Sequence, residues 1–582
     1  MNDRRYRTIL SNEDIRNGDP CQVACPLHID MPNYFALMEA GKYEEAYLLL
    51  KDANPFPSIT GHVCFFPCEY ACERGRLDSP IAIREIENYL SHYIQEGPNK
   101  RPELMTYKRG SLKGTRDEAV AIVGAGPAGM AAAWDLVHFG YRVTIFEKQP
   151  DCGGMAYFGV PVFKILRDVI DREVDVLRRL DVEVKNNIEV GKDISVEELF
   201  ATGYSAVCIA VGADIGRKLN VPGESDVEGV YESTEVLRQV RTGDRDQLGN
   251  TIVVVGGGNT AMDSARTLRR LGSPEVTIVC RETRETMPAY DYEFDAASEE
   301  GVQFVYQASP KRLLSERGKL VGLICMRIEG TSWIEERKEP DVLPDSEFVV
   351  PADTAVLAIS QTPNISLLGD KYSFAVSPNG LIKPEMEGGV ETFPGIFAAG
   401  DAVTGPRSIV AASASGRRVA TNIDRYLRGL LGQPEEIKAP ETEVKLSAGV
   451  LGDYDTLIRQ KPHIRAPLKV EGDFDLLAES FRQQQALEEC RRCMMCNHCI
   501  EIEPGCIMCN ACVLGCPTDC LIMATQDGRT FTHESELEAG ESGTAVMIKD
   551  MLCIRCGVCV DVCPVDVIYF KSFVPESIKP EM

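Results

Sequence analysis

The sequence predicts a multidomain chain in which an α/β module of two doubly wound units stands between a helical domain and a small α+β domain. Two observations carry the prediction. Of the 22 cysteines, five lie before residue 73 and thirteen after residue 489, so the roughly 400 residues between them hold only four. Within that cysteine-poor stretch a short apolar strand runs into a glycine-rich turn, a helix and a second strand, and the pattern occurs twice.

Composition narrows the function. Acidic residues outnumber basic ones by 88 to 62, and a net charge of -26 argues against nucleic acid as a partner. The opening MNDRRYRTILSNEDIRNGD has no apolar core of a secretory signal, so a cytoplasmic protein without disulfides is expected. The longest apolar stretch, residues 119–134, is too short to span a bilayer and contains three glycines and a proline, so no membrane insertion is expected. Seven scattered histidines and the lack of a paired-carboxylate, Ser/His/Asp or HExxH pattern point away from hydrolysis.

The elements follow in chain order. Residues 1–100 read as the helical domain, and the polar run 101–118 as a linker. Residues 119–250 with 350–432 read as the first nucleotide-binding domain, and 251–349 as the second. The Pro-, Glu- and Lys-rich segment 433–485 reads as a linker, and 486–582 as the small C-terminal domain.

In the first unit, strand residues 119–123 lead into Gly124, Gly126, Pro127, Ala128 and Gly129, then a helix, then a strand ending at Glu147. This is the complete Rossmann-like spacing: glycines let a pyrophosphate approach backbone N–H groups at a helix N-terminus, and the acid accepts from a ribose hydroxyl. The second unit repeats it with Gly256, Gly258, Asn259, Thr260 and Ala261, but Cys280 stands where the acid would be, followed by Arg281 and Glu282. Arg281 favours NADP(H), and Glu282 leaves NAD(H) open.

At the C-terminal end, Cys506, Cys509, Cys512 and Cys516-Pro form one Cys-x2-Cys-x2-Cys-x3-Cys-Pro run; Cys553, Cys556, Cys559 and Cys563-Pro form another. That spacing is ferredoxin-like. Each run gives three thiolates to one [4Fe–4S] cluster and its fourth to the other, so Cys563 completes the first set and Cys516 the second. Upstream, Cys490, Cys493, Cys496 and Cys499 are four soft ligands within ten residues, read as a further Fe–S cluster, with tetrahedral zinc as the alternative and Cys520 as a substitute for Cys490.

Cys21, Cys25, Cys64, Cys68 and Cys72, in CQVACPLHID and GHVCFFPCEYACERG, bring in a resemblance. With GAGPAGM, VVGGGNTAMDSARTLRRLG, the MPA at 287–289 and FAAGDAVTGP, they resemble the glutamate synthase small subunit family. That family includes the electron-entry half of dihydropyrimidine dehydrogenase and the large subunit of NADH-dependent ferredoxin:NADP oxidoreductase. The resemblance implies FAD on the first unit, with Gly153, Gly154 and Met155 along it and Gly400 and Asp401 at its ribitol chain. It further implies an N-terminal cluster on Cys25, Cys64, Cys68 and Glu87, with Cys21 and Cys72 as alternates or unliganded. Members with two such clusters carry another CxxC just before the position of Cys21, where this chain reads IRNGDP. Buried, unliganded thiols are the alternative.

The expected activity is therefore that of an FAD-dependent NAD(P)H oxidoreductase subunit. It would exchange electrons with ferredoxin or a partner subunit through about four [4Fe–4S] clusters. Partners implied by the resemblance include a flavin-containing NADH-oxidising subunit, which would make a bifurcating transhydrogenase. The alternatives are a glutamate synthase small subunit, and a non-enzymatic electron-transfer or assembly subunit whose nucleotide site is idle. Arg266, Arg269, Arg270, Arg417 and Arg418 are the basic groups expected to meet an acidic ferredoxin.

Overall fold

A computed structural model gives the structure. It describes residues 19–76, 78–97, 100–108, 116–334, 337–369, 376–377, 380–383, 394–430, 441–446, 457–465, 469–494, 496, 499–502, 506–507, 509–516, 520–524, 530–531, 545–548, 558–565 and 567–575.

The N-terminal part is helical as expected, with helices Pro20–Ala24, Met31–Glu39, Tyr43–Ala53, Pro57–Val63, Pro67–Tyr70 and Ile83–Gln95. Proline opens four of them at the first or second position, where its missing N–H would have no partner anyway. Tyr34, Phe35, Met38, Leu50, Ile86 and Leu90 are buried at their common centre.

The first α/β unit is a five-stranded parallel sheet in the order Ile396–Ala398, Tyr204–Ile209, Ala119–Val123, Arg142–Glu147, Glu183–Asn186. Val123 lies level with both Phe146 and Ile209, so the strand ends form one rim, and the glycine turn at Gly124 sits on it. Helices Pro127–His138 and Ile409–Leu427 pack face to face on this sheet. A Cβ on Gly416 would meet the Ala128 carbonyl oxygen at 2.0 Å, so only glycine permits this approach.

The second sheet is also parallel, in the order Val230–Glu232, Thr354–Leu357, Thr251–Val255, Glu275–Val279, Gln303–Val305. This corrects the expected boundaries, which assign 230–232 and 354–357 to the first domain. Ala355 and Val356 are fully buried beside Val254, where a strand sheltered on both faces belongs. No change in composition marks the crossing. A three-stranded antiparallel sheet, Ala308–Glu316, Lys319–Ile334 and Arg337–Pro351, covers one side.

The segment expected as a C-terminal linker is pinned to the body where it is described. Arg459 Nη2 lies 2.6 Å from Glu69 and its Nη1 donates to the Pro80 carbonyl, Leu477 N–H donates to Phe163, and Gly472 N–H to Arg270. Helix Gln483–Arg491 then packs on helices Met31–Glu39 and Ile83–Gln95, and Phe481, Ala486 and Cys490 enter the N-terminal core. The expected boundary at 486 is corrected accordingly: this helix belongs with the helical domain. In the shorter linker, Met105 is buried and Lys108 pairs with Asp135, so residues 102–108 also lie on the body.

Two antiparallel three-stranded sheets make up the described C-terminal domain: Glu441–Leu446, Ile568–Pro575, Cys499–Ile502; and Thr530–Phe531, Leu521–Ala524, Ala545–Ile548. Helices Ala511–Gly515 and Val558–Asp561 pack together beside them.

Candidate functional site

Gly124 takes φ +105°, and a Cβ there would meet the Ala210 carbonyl at 2.5 Å, so the turn needs glycine for both conformation and space. Gly126 then caps helix Pro127–His138 with no side chain serving its first N–H groups, which leaves donors and the positive helix end facing outward. Beyond them lies a cavity of about 480 Å³.

Gly124, Gly126, Pro127, Ala128, Glu147, Gly154, Met155, Gly400 and Asp401, all expected along the FAD, line that cavity. Gly129 and Gly153 lie behind it: a Cβ on Gly129 would meet the Gly124 carbonyl at 2.0 Å, and one on Gly153 would press on Tyr157 and Ile170. Their place is in shaping the turn. Glu147 is nearly buried and accepts from Ala125 N–H at 2.7 Å and Gln149 N–H at 2.9 Å; burial raises its pKa and these donors oppose the rise. Burial also pushes Asp401 up to about 6, against the pull of the Arg407 N–H and charge.

Sequence reasoning missed Arg407, Ser408, and the second-domain residues Glu232, Glu235 and Arg238 on the cavity wall. Ser408 was findable, since a serine before IVAAS is an N-cap signal, and it does accept from Ala411 N–H. Nothing in the sequence marks Glu232, Glu235 or Arg238, because a neighbouring domain brings them in.

The second turn has the same construction. Gly258 caps helix Asn259–Arg270 without a side-chain bond, and Ala261 is buried behind it, with Thr260 half-buried. Ala289 N–H donates to the Gly257 carbonyl and Tyr290 N–H to Asn259 Oδ1, which lays the MPA segment over Gly256–Asn259. Cys280 is buried at the strand end and Arg281 is exposed. Glu282 leans over the turn: a Cβ on Gly257 would meet its Oε2 at 2.7 Å.

Lys164 of the first domain ties the two units, 2.5 Å from both Asp263 and Glu293. Arg266 and Arg270, expected at a docking surface, are instead buried against Glu300, at 2.8 and 2.5 Å, with Arg266 also 3.3 Å from Glu293. Arg269 donates to three backbone carbonyls, and Arg417 pairs with Asp135 and the Ala53 carbonyl. Helix-borne arginines spaced along an interface serve its internal carboxylates first; of the five, Arg418 is exposed.

In the helical domain, Cys25, Cys64, Cys68 and Glu87 lie within electrostatic reach of one another, as the resemblance implied. Burial pushes Cys25 up to about 11 and Glu87 up to about 7, and raises Cys64 and Cys68. Glu87 Oε1 accepts from Asn54, at 2.7 Å, and from Thr60, while Oε2 takes part in neither bond. Phe65 and Tyr70 from this domain stack on Tyr290, and Phe66 packs on Tyr292, so these thiols sit one aromatic layer from the second nucleotide unit.

Four of the remaining upstream thiols are neighbours in the fold. Cys21 and Cys72 come together with Cys493 and Cys496. Cys490 is fully buried near Glu39, Cys493 and Tyr34, and the side chain of Cys499 lies outside the described residues. Cys520 does not replace Cys490, because its Sγ lies 3.3 Å from that of Cys516. At the C-terminal end Cys506, Cys509, Cys512 and Cys563 line one small cavity, the set expected from the ferredoxin-like spacing. Cys559 is buried beside it, and Cys553 and Cys556 lie outside the described residues. Among the described residues no three His, Cys, Asp or Glu side chains converge on a single metal ion. Nor is any described helix long and apolar enough to cross a membrane.

Comparison with known proteins agrees with this division. The pyridine nucleotide-disulphide oxidoreductase family matches residues 118–416, dihydropyrimidine dehydrogenase domain II with its 4Fe-4S cluster matches 17–98, and the 4Fe-4S dicluster domain matches 505–567. Among curated relatives, the beta subunit of NADP(+)-dependent formate dehydrogenase from Moorella thermoacetica is 33% identical over 82% of this chain and 70% of its own length. The beta subunit of NADPH-Fe(3+) oxidoreductase from Geobacter sulfurreducens is 33% identical over 82% of this chain and 75% of its own. The small chain of NADPH glutamate synthase from Escherichia coli is 33% identical over 70% of this chain and 89% of its own.

Proposed function

Because the chain belongs to the pyridine nucleotide-disulphide oxidoreductase family, carrying 4Fe-4S domains at both ends, we propose that it is the NADPH-handling, electron-distributing subunit of a larger redox complex. FAD would occupy the cavity over the first glycine turn and NADPH the second turn. The observation that carries this reading is the cavity itself, which gathers Gly124, Gly126 and Glu147 from one βαβ unit and Gly400 and Asp401 from far along the chain.

FAD, when bound there, supplies acceptance of a hydride from nicotinamide and release of electrons one at a time. The chain's own groups do the rest. The N-terminus of helix Pro127–His138 and the Arg407 guanidinium would hold the pyrophosphate, Glu147 the ribose and Asp401 the ribitol hydroxyls. Met155 and Phe158 supply apolar wall that would help exclude water from the cavity. Lys164, between Asp263 and Glu293, fixes the second unit against the first. The thiol sets at Cys25/Cys64/Cys68 and at Cys506/Cys509/Cys512/Cys563 are soft-donor sites for [4Fe–4S] clusters.

The names of relatives acting with NADP(+) or NADPH support the nucleotide, as does the exposed Arg281. Two of those relatives are beta subunits, which supports a multisubunit setting here, with a ferredoxin or a flavin-containing NADH-oxidising subunit as the electron partner. We place the protein in the cytoplasm, where ligand thiols stay reduced. Mixing the anaerobic chain with NADPH should bleach the flavin absorbance, and faster than NADH does. Absence of bleaching with either nucleotide contradicts the enzyme reading; equal rates contradict the choice of NADPH.

A further inference from the structure

The two ends of the chain meet at a second thiol group. Helix Gln483–Arg491 lies on helices Met31–Glu39 and Ile83–Gln95, and the next residue, Arg492, is fully buried. Its guanidinium reaches Asp78 at 3.0 Å, the Ser79 carbonyl at 2.6 Å, the Pro80 carbonyl at 3.3 Å and Glu489 at 3.0 Å. Arg74 Nη1 donates back to the Arg492 carbonyl at 3.4 Å, and Ala82 N–H to Glu489 at 2.8 Å. These bonds hold the residue next to Cys493 against the segment that follows Cys72.

Cys21 arrives from the other side, on helix Pro20–Ala24, which packs against helix Pro67–Tyr70 just before Cys72. Cys21, Cys72, Cys493 and Cys496 thereby fall within electrostatic reach of one another, with the buried Asp19 beside Cys21 and Cys496. Cys490 lies at the edge of the group: of the four thiols only Cys493 is among its main electrostatic neighbours, with Glu39 and Glu489. Tyr34 is fully buried, its hydroxyl has no hydrogen-bond partner among the described residues, and it lies within electrostatic reach of Glu87, Cys490, Cys68 and Cys21, between the two thiol groups.

We propose that Cys21, Cys72, Cys493 and Cys496 hold a [4Fe–4S] cluster that staples the C-terminal segment to the N-terminal helical domain. Four soft donors gathered from three separate stretches of chain suit a cluster, whose thiolates bind the corners of a cube instead of converging on one ion. Cys496 precedes Cys506 by ten residues, at most about 35 Å of extended chain, so the site is tethered within that reach of the first ferredoxin-like run. Its role as a relay rests on the electron-transfer reading above; its existence does not.

The test is iron content with EPR on anaerobically purified full-length chain. The parent should carry about 16 iron atoms, four per cluster. Cys21→Ala and Cys493→Ala should each fall to about 12 and lose the same EPR signal, and the double variant should lose no more than either. Cys490→Ala should keep the full count. Stoichiometric FAD shows that a variant is folded. If Cys21→Ala yields no folded protein, Cys72→Ser, which keeps an oxygen ligand, should retain iron with shifted g values. The proposal is overturned if Cys493→Ala loses iron while Cys21→Ala does not, if the two lose different signals, if the Cys72→Ser spectrum is unchanged, or if zinc replaces the iron. Iron counting needs no nucleotide, so a full count with unbleached flavin would sink the enzyme reading alone.

Discussion

At the scale of single residues, charge placement decides how the two nucleotide sites behave. Asp401 is an acid held up at about 6, chiefly by burial, so the apoprotein's stability from this group is full below the ordinary carboxylate pKa and is lost as pH rises through about 6. A ribitol hydroxyl donating to the carboxylate favours the charged form and releases a proton on binding. FAD affinity of the apoprotein should therefore rise roughly tenfold between about pH 5 and 7, and Asp401→Asn should flatten the profile. A profile unchanged in that variant would remove Asp401 from the site. At the second turn, Arg281 and Glu282 oppose each other: an arginine accepts a 2′-phosphate, and a carboxylate leaning over Gly257 repels it. Arg281→Ala should weaken NADPH use by about tenfold while changing NADH use little, and Glu282→Gln should move the ratio the other way. Competition kinetics with the two nucleotides reads both.

At the scale of elements, the helix Gln483–Arg491 shows how much was legible and why the rest was not. The two glycine turns and the paired CxxCxxCxxxCP runs each place their chemistry within a dozen residues, so spacing alone reveals them. Cys21, Cys72, Cys493 and Cys496 come from positions more than 400 residues apart, and only the packing of that helix joins them. The same helix hides its purpose in a polar sequence, QQQALEECR, whose buried members are Ala486, Glu489 and Cys490. Arg492 and Glu489 form a buried pair, 3.0 Å apart and both fully inaccessible. Arg492→Ala leaves Glu489 buried and unpaired, which should cost about 3–5 kcal/mol, seen as faster hydrogen exchange across the helix. The Arg492→Met, Glu489→Leu double variant removes both charges and should recover most of that loss; equal exchange in single and double variants would show that the pair does not hold the helix.

For the whole molecule, the arrangement is a chain folded back on itself. Residues 457–465 and 469–494 lie against the second nucleotide unit and the helical domain, so the thiol groups at the two ends of the sequence become neighbours in space. The net charge of -26 disfavours long-range attraction of an acidic partner, and Arg266, Arg270 and Arg417, three of the five cations expected at a docking surface, are used internally. Complex formation should accordingly weaken little as salt rises from about 0.05 to 0.3 M, measured by sedimentation with the isolated partner. Electrons from NADPH should reach the clusters through the flavin site. Rapid-freeze EPR after anaerobic mixing with NADPH tests it most directly: reduced [4Fe–4S] signals should grow as flavin absorbance falls. Flavin that bleaches while every cluster stays oxidised would contradict it.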